Sequence, residues 1–490
     1  MTAQTILPAN TLSSGYNVAN SAKFDIDGTD TLRLAAAGSD GDKKHWTISM
    51  WIKRSKLATL QHVWSWSRNN TNAEGGFYFD ANDQLVFIND GQNGGSNEID
   101  GRWRDTSSWM HLVWSCDADN GTNANRWKVY VNGVQKTITG GPTISDANGK
   151  INEGSTQEHW IGGRARSLNS NVADASYFSG YLAEVVFIDD ATLDPTSFGE
   201  FDEDSPTIWK PIDVSGLTFG AEGYYLDFQN ASELGTDVSG NSNTLAENSM
   251  DATNQSTDTC TNNYATLNPL TIPAGASLTL SEGNLQFNGT STDAGAKASF
   301  GVSSGKWYWE VKTKLSDDNS SGSDRIAVVT EAVRQITSAT DPSSEGLWAI
   351  QSRSGSGATL NSFTNGTFSN SNSGSTGFNN GTIIGVALDA DNGKIYYHKD
   401  GTYTDLSGNT GDPANGTNPT FTGLPTDGTF LFPYFENRPN VTPSSQVNFG
   451  GTPPFSISSG NSDANGYGNF EHSVPSGYYA LNSKNLAEYG

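Results

Sequence analysis

Apolar and polar side chains alternate at every second position in many short stretches of this sequence. In the stretch HWTISMWIKRS, the side chains of Trp46, Ile48, Met50 and Ile52 fall on one side of an extended chain. A period of two is typical of strands that bury one face, so these stretches are predicted to be β-strands. The same alternation places three further sets on one face each: Trp127, Val129 and Val131; Trp307, Trp309 and Val311; and Ile384, Val386 and Leu388.

The strand-like stretches fall into two groups, which predict two domains at residues 20–229 and 265–451. Between them, residues 230–264 show almost no apolar periodicity and are predicted to form an extended linker. Residues 1–19 form a short N-terminal segment. Residues 452–490 are polar and Gly-rich and are predicted to be an irregular C-terminal tail.

The spacing of the strands predicts the fold class. They recur every 8–15 residues with Gly and Asn turns between them, which favours antiparallel sheets. A parallel sheet would need helical crossovers, and only one capped turn, at residues 194–201, is indicated. We therefore predict an all-β protein with two antiparallel β-sandwich (jelly-roll) domains.

Composition and charge narrow the function. The 490 residues include 53 acidic and 28 basic side chains, for a net charge of −25, and such a surface repels nucleic acid. The 13 Trp, 17 Tyr and 22 Phe favour a folded core over disorder. No apolar run approaches the roughly 20 residues of a membrane span, so no membrane insertion is expected. The N-terminal stretch lacks the apolar core of a signal peptide, so export by that route is not expected.

The two cysteines, Cys116 and Cys260, are too few for a disulfide scaffold. Whether they pair with each other remains open, because few distant pairs meet the geometry of a disulfide.

The motif DADNG occurs twice, at residues 117–121 and 389–393, and resembles the start of a calcium loop. An EF-hand loop needs Gly at position 6 and Glu at position 12. Here Gly falls at position 5, and position 12 is Lys128 or Asp400. Neither copy fits an EF-hand.

Both copies of DADNG follow an apolar strand and precede an aromatic one, which favours two β-hairpins. Asn-Gly supplies left-handed backbone angles for tight turns, and each following strand ends in a further turn signal, at 132–133 or 400–401. The alternative interpretation is a weak calcium site at one rim, with candidate ligands Asp117, Asp119, Asp389 and Asp391. No other metal or cofactor is predicted.

Three motifs in the first predicted domain resemble the laminin-G or concanavalin-A-like lectin family. They are Trp-x-His-Leu at 109–112, Tyr-Val-Asn-Gly at 130–133 and Ala-Glu-Val at 183–185. The resemblance covers residues 20–229 and implies a sandwich of two antiparallel sheets. Many relatives bind sugars or proteins at the rim, often with calcium, but no calcium-ligand set matches here.

The second predicted domain resembles a SPRY (B30.2-like) domain. Its four motifs, at residues 305–312, 383–401, 431–436 and 447–450, occur in the expected order. The resemblance implies a binding module without catalytic residues, in which variable loops contact the partner.

Two further stretches, residues 198–269 and 475–490, resemble junctions and C-termini of phage virion proteins, especially tail-fibre-like chains. The resemblance implies a protein assembled in the host cytoplasm without a signal peptide and displayed on the virion surface. Its expected partners are other virion proteins of the tail or capsid and a host cell-surface glycan or protein. A homo-oligomer is expected, with a trimer as one arrangement. In these relatives a Pro commonly stands where this chain has Cys260, which puts a special role of that thiol in doubt.

Concanavalin-like folds also include glycoside hydrolases, whose retaining members need two carboxyl groups about 5–5.5 Å apart. The nearest pattern is Glu98 and Asp100, but Arg102 stands next on that face and no second acid follows. The six histidines lie singly, without metal-ligand spacing. We therefore predict that the chain is not an enzyme.

Sugar binding needs only a flat aromatic ring and a few hydrogen-bonding groups. If the motif strands share a sheet, Trp51, His111 and Tyr130 could line one polar-aromatic surface for carbohydrate contact. The alternative is that they are ordinary half-buried sheet residues.

The function predicted from these observations is a non-enzymatic structural or adhesion protein of a phage virion, either a tail fibre or a receptor-binding component. A capsid head-fibre or decoration protein is the main alternative, because the sequence has no heptad run for a trimeric shaft. A free carbohydrate-binding lectin or glycan hydrolase and an intracellular scaffold are the remaining alternatives.

Overall fold

The computed structural model separates into two compact units, called here the first unit (within Pro8–Asn262) and the second unit (within Asn263–Gly490). The residues that the structure describes are 15–36, 41–68, 74–88, 97–139, 157–164, 176–276, 278–289, 294–314, 323–333, 345–353, 360–369, 377–438 and 444–490. Both units are built from antiparallel sheets, so the predicted all-β fold class is confirmed.

The described strands of the first unit are short and are joined by turns and loops. They are β1 (Ser21–Phe24), β2 (Thr31–Leu34), β3 (His45–Arg54), β4 (Gln61–Arg68), β5 (Glu74–Phe79), β6 (Leu85–Ile88), β7 (Asn97–Ile99), β8 (Met110–Asp117), β9 (Trp127–Val131), β10 (Val134–Lys136), β11 (Ile138–Thr139), β12 (Gln157–Ile161), β13 (Gly180–Asp189), β14 (Gly199–Phe201), β15 (Trp209–Pro211), β16 (Tyr224–Leu226), β17 (Ala246–Asn248) and β18 (Gln255–Ser256).

Two sheets form the sandwich of the first unit. Sheet A has the strand order β10-β9-β8-β3-β13-β1-β18, with β16 paired to β13, and sheet B has the order β11-β7-β6-β5-β4-β12-β2-β17. The predicted inward face of β3 is confirmed, since Trp46, Ile48, Met50 and Ile52 are all at most 1% exposed and belong to the main core. The Trp46 ring meets the Trp114 ring edge to face at 4.8 Å, a favoured aromatic geometry.

The outer face of sheet A is also covered. Trp51, Tyr181 and Ala183 lie in a second apolar cluster with Trp209 and Cys260. A third cluster packs the outward residues Val113, Val186 and Ile188 of β8 and β13 against Phe198, Val214, Phe219 and Tyr225. The chain that follows β13 therefore folds back over its own sheet. In this covering chain, Asp194 caps the short 3₁₀ turn Pro195–Ser197, which confirms the predicted capped turn.

Residues 230–262 are part of the sandwich and are not the extended linker that their composition predicts. Strand β17 pairs with β2, and β18 pairs with β1. Leu234 and Leu245 are buried in the main core. These few apolar anchors are spaced too irregularly to give a periodic pattern, which is why the segment resembles a linker in sequence. The N-terminal segment is described only from residue 15, and its residue Val18 belongs to the second apolar cluster, with Trp51 and Trp209.

The described strands of the second unit are β19 (Leu278–Ser281), β20 (Gln286–Gly289), β21 (Ala294–Lys297), β22 (Lys306–Lys312), β23 (Ser323–Thr330), β24 (Leu347–Arg353), β25 (Leu360–Thr364), β26 (Thr367–Ser369), β27 (Ile383–Asp389), β28 (Lys394–Lys399), β29 (Thr402–Tyr403), β30 (Phe421–Thr422), β31 (Leu431–Arg438), β32 (Ser445–Asn448) and β33 (Tyr479–Ala480).

Sheet C of the second unit has the order β19-β20-β32-β22-β27-β28-β29, with β30 paired to β28 and β33 to β22. Sheet D has the order β21-β31-β23-β24-β25-β26. The inward faces predicted for β22 and β27 are confirmed, because their alternate apolar residues all belong to the core of this unit, namely Trp307, Trp309, Val311, Ile384, Val386 and Leu388.

The C-terminal tail is ordered on sheet C, which corrects the prediction that it is irregular. Strand β33 pairs with β22 in parallel, and the chain ends in helix α1 (Ser483–Tyr489), capped by the Asn482 side chain. Phe470, Tyr478 and Ala480 bury the outward residue Tyr308 of β22. In both units, a polar segment that follows the strands therefore covers the outer face of one sheet.

Both copies of DADNG connect antiparallel strands, β8 to β9 and β27 to β28, which confirms the hairpin interpretation. The left-handed turns fall mainly at the second signals. Asn132 and Gly133 have φ values of 49° and 74°, and Asp400 and Gly401 have values of 46° and 87°. Two consecutive positive φ angles in a two-residue loop define a type I′ hairpin. In the first DADNG copy, neither Asn120 nor Gly121 has a positive φ.

Among the described residues, no helix has the length and apolar character needed to cross a membrane.

Candidate functional site

Trp51 and His111, two of the predicted sugar-contact residues, lie directly opposite each other on β3 and β8. Their rings stack at 4.8 Å with an interplanar angle of 28°. Strand β9, which carries Tyr130, also pairs with β8, so the condition that the motif strands share a sheet is met. Each of these two residues, however, is only 1% exposed.

The ring of Trp209 closes this surface from outside. Its Nε1 donates a hydrogen bond to His111 Nδ1 at 3.0 Å, and the two rings stack at 6.0 Å. Because Nδ1 accepts, the proton of the neutral imidazole lies on Nε2, which is 2.8 Å from Ser49 Oγ. Burial lowers the pKa of His111 to about 3, so the ring is neutral at physiological pH.

Trp51 and His111 are buried under the segment that follows β13. These two residues therefore do not form the exposed aromatic surface that was considered from the sequence. Tyr130 on β9 lies opposite Val113 and is half-buried against the third cluster. A carbohydrate contact through Tyr130 remains a prediction.

In each hairpin, the first aspartate of the motif holds its own turn and the second contacts a residue outside the turn. Asp117 Oδ2 accepts from Asn120 Nδ2 at 3.1 Å, and Asp119 forms an exposed ion pair with Lys44 at 2.6 Å. Asp391 Oδ1 accepts from the backbone N–H of Gly305 at 2.7 Å.

The buried Asp389 accepts from Asn392 and lies 3.2 Å from Lys306 Nζ. Within the described ranges, no three His, Cys, Asp or Glu side chains come together as a metal site.

Glu98 and Asp100, considered above as paired acids, lie in different surroundings. Strand β7 ends at Ile99, and the exposed Asp100 lies in the bend after it. Glu98 Oε2 accepts from Gln84 Nε2 at 2.9 Å. These two residues do not form the inward-facing acid pair of a retaining glycosidase.

The two cysteines are buried and unpaired. Cys116 lies in the core between the sheets, whereas Cys260 lies in the cluster outside sheet A. Burial raises the pKa of the Cys116 thiol to about 12 and that of Cys260 well above its ordinary value, so neither is a reactive thiolate at neutral pH.

A pocket of about 210 Å³ opens at the end of sheet A where β3 ends and β8 begins. Its walls come from the end of β3, from the segment before β8, and from the β9–β10 turn. The lining residues are Ile52, Arg54, Arg102, Trp103, Arg104, Asp105, Ser108, Trp109, Met110 and Asn132. Sequence reasoning missed this site, although two arginines flanking a tryptophan in a strongly acidic chain were a usable signal.

Asp83 organises the arginines beside the pocket. Its Oδ1 accepts from Arg54 Nη2 at 3.1 Å, and its Oδ2 lies 3.2 Å from Arg104 Nε. Arg54 also donates to the carbonyl oxygens of Trp103 and Lys56. Burial lowers the pKa of Arg54 only to about 10, so this guanidinium stays charged at neutral pH.

Arg102 and Arg104 extend outward from this fixed base and are exposed. Arg102 Nη1 donates to the Asn82 carbonyl at 2.7 Å. Among the described residues, the two terminal nitrogens of Arg104 have no hydrogen-bond partner.

In the second unit, a buried polar cluster on sheet C has a structural role. Tyr308 Oη donates to Glu310 Oε1 at 2.9 Å and lies 2.8 Å from His398 Nε2. Glu310 accepts the backbone N–H groups of Glu471 and His472 at 2.9 and 2.8 Å, and so fixes the C-terminal segment on sheet C. Several loops that the SPRY resemblance implies as partner contacts lie outside the described residues.

Comparisons with known proteins agree with this architecture. The family described as the concanavalin A-like lectin/glucanases superfamily (Laminin_G_3) matches residues 27–195, and the SPRY domain family matches residues 306–452. A search of curated proteins found no match.

Two of the similar solved structures are the SPRY domain of human HERC1 and the native heptameric SAP-like pentraxin from Limulus polyphemus. The first is 17% identical, covers 37% of this chain and 96% of its own, and has a TM-score of 0.27. The second is 16% identical, covers 36% of this chain and 80% of its own, and also has a TM-score of 0.27.

Both matched folds are typical of binding modules for carbohydrate or protein and fit a non-enzymatic role. Residues 27–195 are thus similar to the concanavalin A-like lectin/glucanases superfamily and residues 306–452 to the SPRY domain family, and both units are built from antiparallel sheets.

Proposed function

We propose that this protein is a non-enzymatic structural or adhesion component of a phage virion, a tail fibre or receptor-binding protein, that contacts glycans or proteins of the host surface. The observation that carries the adhesive role is the pocket of the first unit. Its arginines Arg102 and Arg104 are exposed, whereas the covered face of sheet A leaves Trp51 and His111 buried. Recognition would therefore use a pocket between loops, where binding residues commonly lie on a rigid scaffold.

Support for a virion location comes from the sequence. Residues 198–269 and 475–490 resemble segments of phage virion proteins. Trp209 and Cys260 of the first stretch belong to the cluster outside sheet A, and Tyr478 and Ala480 of the second belong to the cluster outside sheet C. Display of many copies on one particle would turn weak single contacts into firm attachment, because linked sites rebind at high effective concentration. We expect a homo-oligomer, for which a trimer is one arrangement.

Antibody labelling of particles tests the proposal. Virions are incubated with gold-conjugated antibody against this chain and imaged by negative stain. Label at the tail supports the tail-fibre or receptor-binding role, and label at the head supports the capsid alternative below. Particles without label, in a preparation where antibody against a known structural protein binds, would contradict a virion function altogether.

A head-fibre or decoration protein is the second candidate. The observation that favours it is the lack of a shaft, since the sequence has no heptad run. Within the described residues, the longest helix, α1, has seven residues.

A further inference from the structure

We infer that the pocket of the first unit binds the carboxylate of an acidic sugar residue, such as a uronic or sialic acid. This inference rests on the proposed adhesive function and names the class of ligand that the same site takes. It depends on the charge, geometry and size of the pocket.

The charge of the lining is opposite to that of the whole chain. Three arginines and one aspartate line the pocket, and with Asp83, which pairs with Arg54 and Arg104, the local charge is +1, although the chain has a net charge of −25. A positive recess in an acidic surface concentrates small anions but still repels long polyanions such as nucleic acid. The ligand that fits is therefore small and carries a localised negative charge.

The geometry around Arg104 suits a carboxylate. Its Nε lies 3.2 Å from Asp83 Oδ2, which holds one edge of the guanidinium. The other edge, with both terminal nitrogens, can donate two parallel hydrogen bonds to the two oxygens of a carboxylate. Asp83 is only 3% exposed and also accepts from Arg54 and from the backbone N–H of Ala58, so the base of this arrangement is rigid.

The remaining lining suits the body of a sugar. Trp103 is half-buried and offers an apolar surface. The side-chain oxygen of Asn132 accepts from the His111 backbone N–H at 2.8 Å, so its orientation is fixed and its NH₂ group is left to donate. Asp105 is fixed by Ser107 and Ser108 and provides an acceptor for sugar hydroxyls.

The size of the pocket limits the ligand. Pockets for drug-sized molecules enclose roughly 300–1,000 Å³, whereas this one encloses about 210 Å³. It therefore suits one sugar residue, at a chain end or as a side branch, and not a long oligosaccharide.

Titration calorimetry with the full-length chain tests the inference. The probes are methyl glucuronide, the methyl glycoside of N-acetylneuraminic acid, and methyl glucoside as the neutral counterpart of the first. We expect binding of at least one acidic probe and at least tenfold weaker binding of methyl glucoside. Which acidic probe binds distinguishes uronic acids from sialic acids.

Two variants locate the site. Arg104→Gln removes the proposed carboxylate contact and is expected to weaken binding of the acidic probe at least about tenfold, because two charge-assisted hydrogen bonds are lost. Arg126→Gln is the matched control. Arg126 lies in the β8–β9 hairpin, which follows the far end of β8, whereas the pocket lies where β8 begins. The control is expected to bind like the unaltered chain.

The outcomes separate this inference from the proposed function. Equal binding of acidic and neutral probes, or equal effects of the two substitutions, overturns the inference. Absence of binding to all three probes also overturns it. A second assay measures whether the purified chain, added to host cells, blocks phage adsorption. If it blocks adsorption although it binds none of the probes, the adhesive function stands. Failure to block adsorption, together with unlabelled virions, overturns the function as well.

Discussion

Lys53 and Asp258 form an ion pair of 2.6 Å, with side chains that are 1% and 2% exposed. Lys53 belongs to β3, and Asp258 lies in the polar segment 230–262. Asp258 also accepts from Trp109 Nε1 at 3.0 Å. The pair therefore fastens a segment with the composition of a linker to the central strand of sheet A.

Removing the negative charge of this pair is expected to destabilise the first unit strongly. Asp258→Asn leaves the Lys53 ammonium buried without its counter-charge, which typically costs about 3–5 kcal/mol. Urea unfolding of the full chain, followed by Trp fluorescence, measures the loss.

The matched control is Asp204→Asn, because Asp204 is exposed. Its free energy of unfolding should change by less than about 0.5 kcal/mol. Equal effects of the two substitutions would show that the buried pair does not hold the segment.

The buried carboxyl of Glu184 is expected to make stability depend on pH. Glu184 lies at a bulge of β13 with φ of 49°, is 5% exposed and accepts from Tyr225 Oη at 2.7 Å. Burial raises its pKa from 4.5 to about 7. The folded state therefore holds this proton more tightly than the unfolded state.

The stabilisation from this raised pKa is fully present below about pH 4.5 and is lost as the pH rises through about 7. A tenfold difference in proton affinity between the folded and unfolded states corresponds to about 1.4 kcal/mol, so the whole effect is about 3 kcal/mol. Unfolding free energies of the unaltered chain and of Glu184→Gln, measured between pH 4.5 and 8, test this. As the pH rises across that range, we expect the free energy of unfolding of the unaltered chain to fall relative to that of Glu184→Gln. A constant difference would contradict the assignment.

The protonation state of His111 is expected to report whether the face of sheet A is closed. With Nδ1 accepting from Trp209, the imidazole should carry its proton on Nε2 and should not titrate between pH 5 and 8. Nitrogen chemical shifts of the histidine side chains measure both properties.

The variant Trp209→Phe removes the donor to Nδ1 and should change the His111 nitrogen shifts. Titration of His111 near pH 6.5 in the unaltered chain would mean that water reaches this face.

Much of the fold could be predicted from the sequence because strand burial leaves a local signal. Alternate residues such as Trp46 and Ile48 point into the core between the two sheets, and their spacing of two in the sequence is enough to predict this. The type I′ turn at Asn132 and Gly133 is also local, since it needs only two residues that tolerate positive φ.

The covering segments could not be predicted because their contacts are distant in sequence. The buried Asp258 carboxylate receives its counter-charge from Lys53, 205 residues earlier, and a hydrogen bond from Trp109, 149 residues earlier. In isolation an aspartate in a Thr- and Asn-rich stretch indicates solvent exposure. For the same reason the sequence left open whether Trp51 and His111 are exposed, since nothing near them in sequence shows that Trp209 covers them.

The pocket could be predicted only in part. The residues Arg102, Trp103 and Arg104 are adjacent in sequence and combine a positive charge with an aromatic ring. Their partner Asp83 and the opposite wall at Asn132 come from other parts of the chain, so the recess itself exists only in the folded sandwich.

Hydrogen exchange of the native full-length chain, followed by mass spectrometry, tests most directly the claim that polar segments close the outer sheet faces. The backbone N–H groups of Thr259 and Asn262 bond within a buried turn, and β18 pairs with β1. We therefore predict that peptides from residues 255–262 exchange as slowly as peptides from β3, because both open only when the unit unfolds. Exchange of residues 255–262 at the rate of an unstructured peptide would contradict the account.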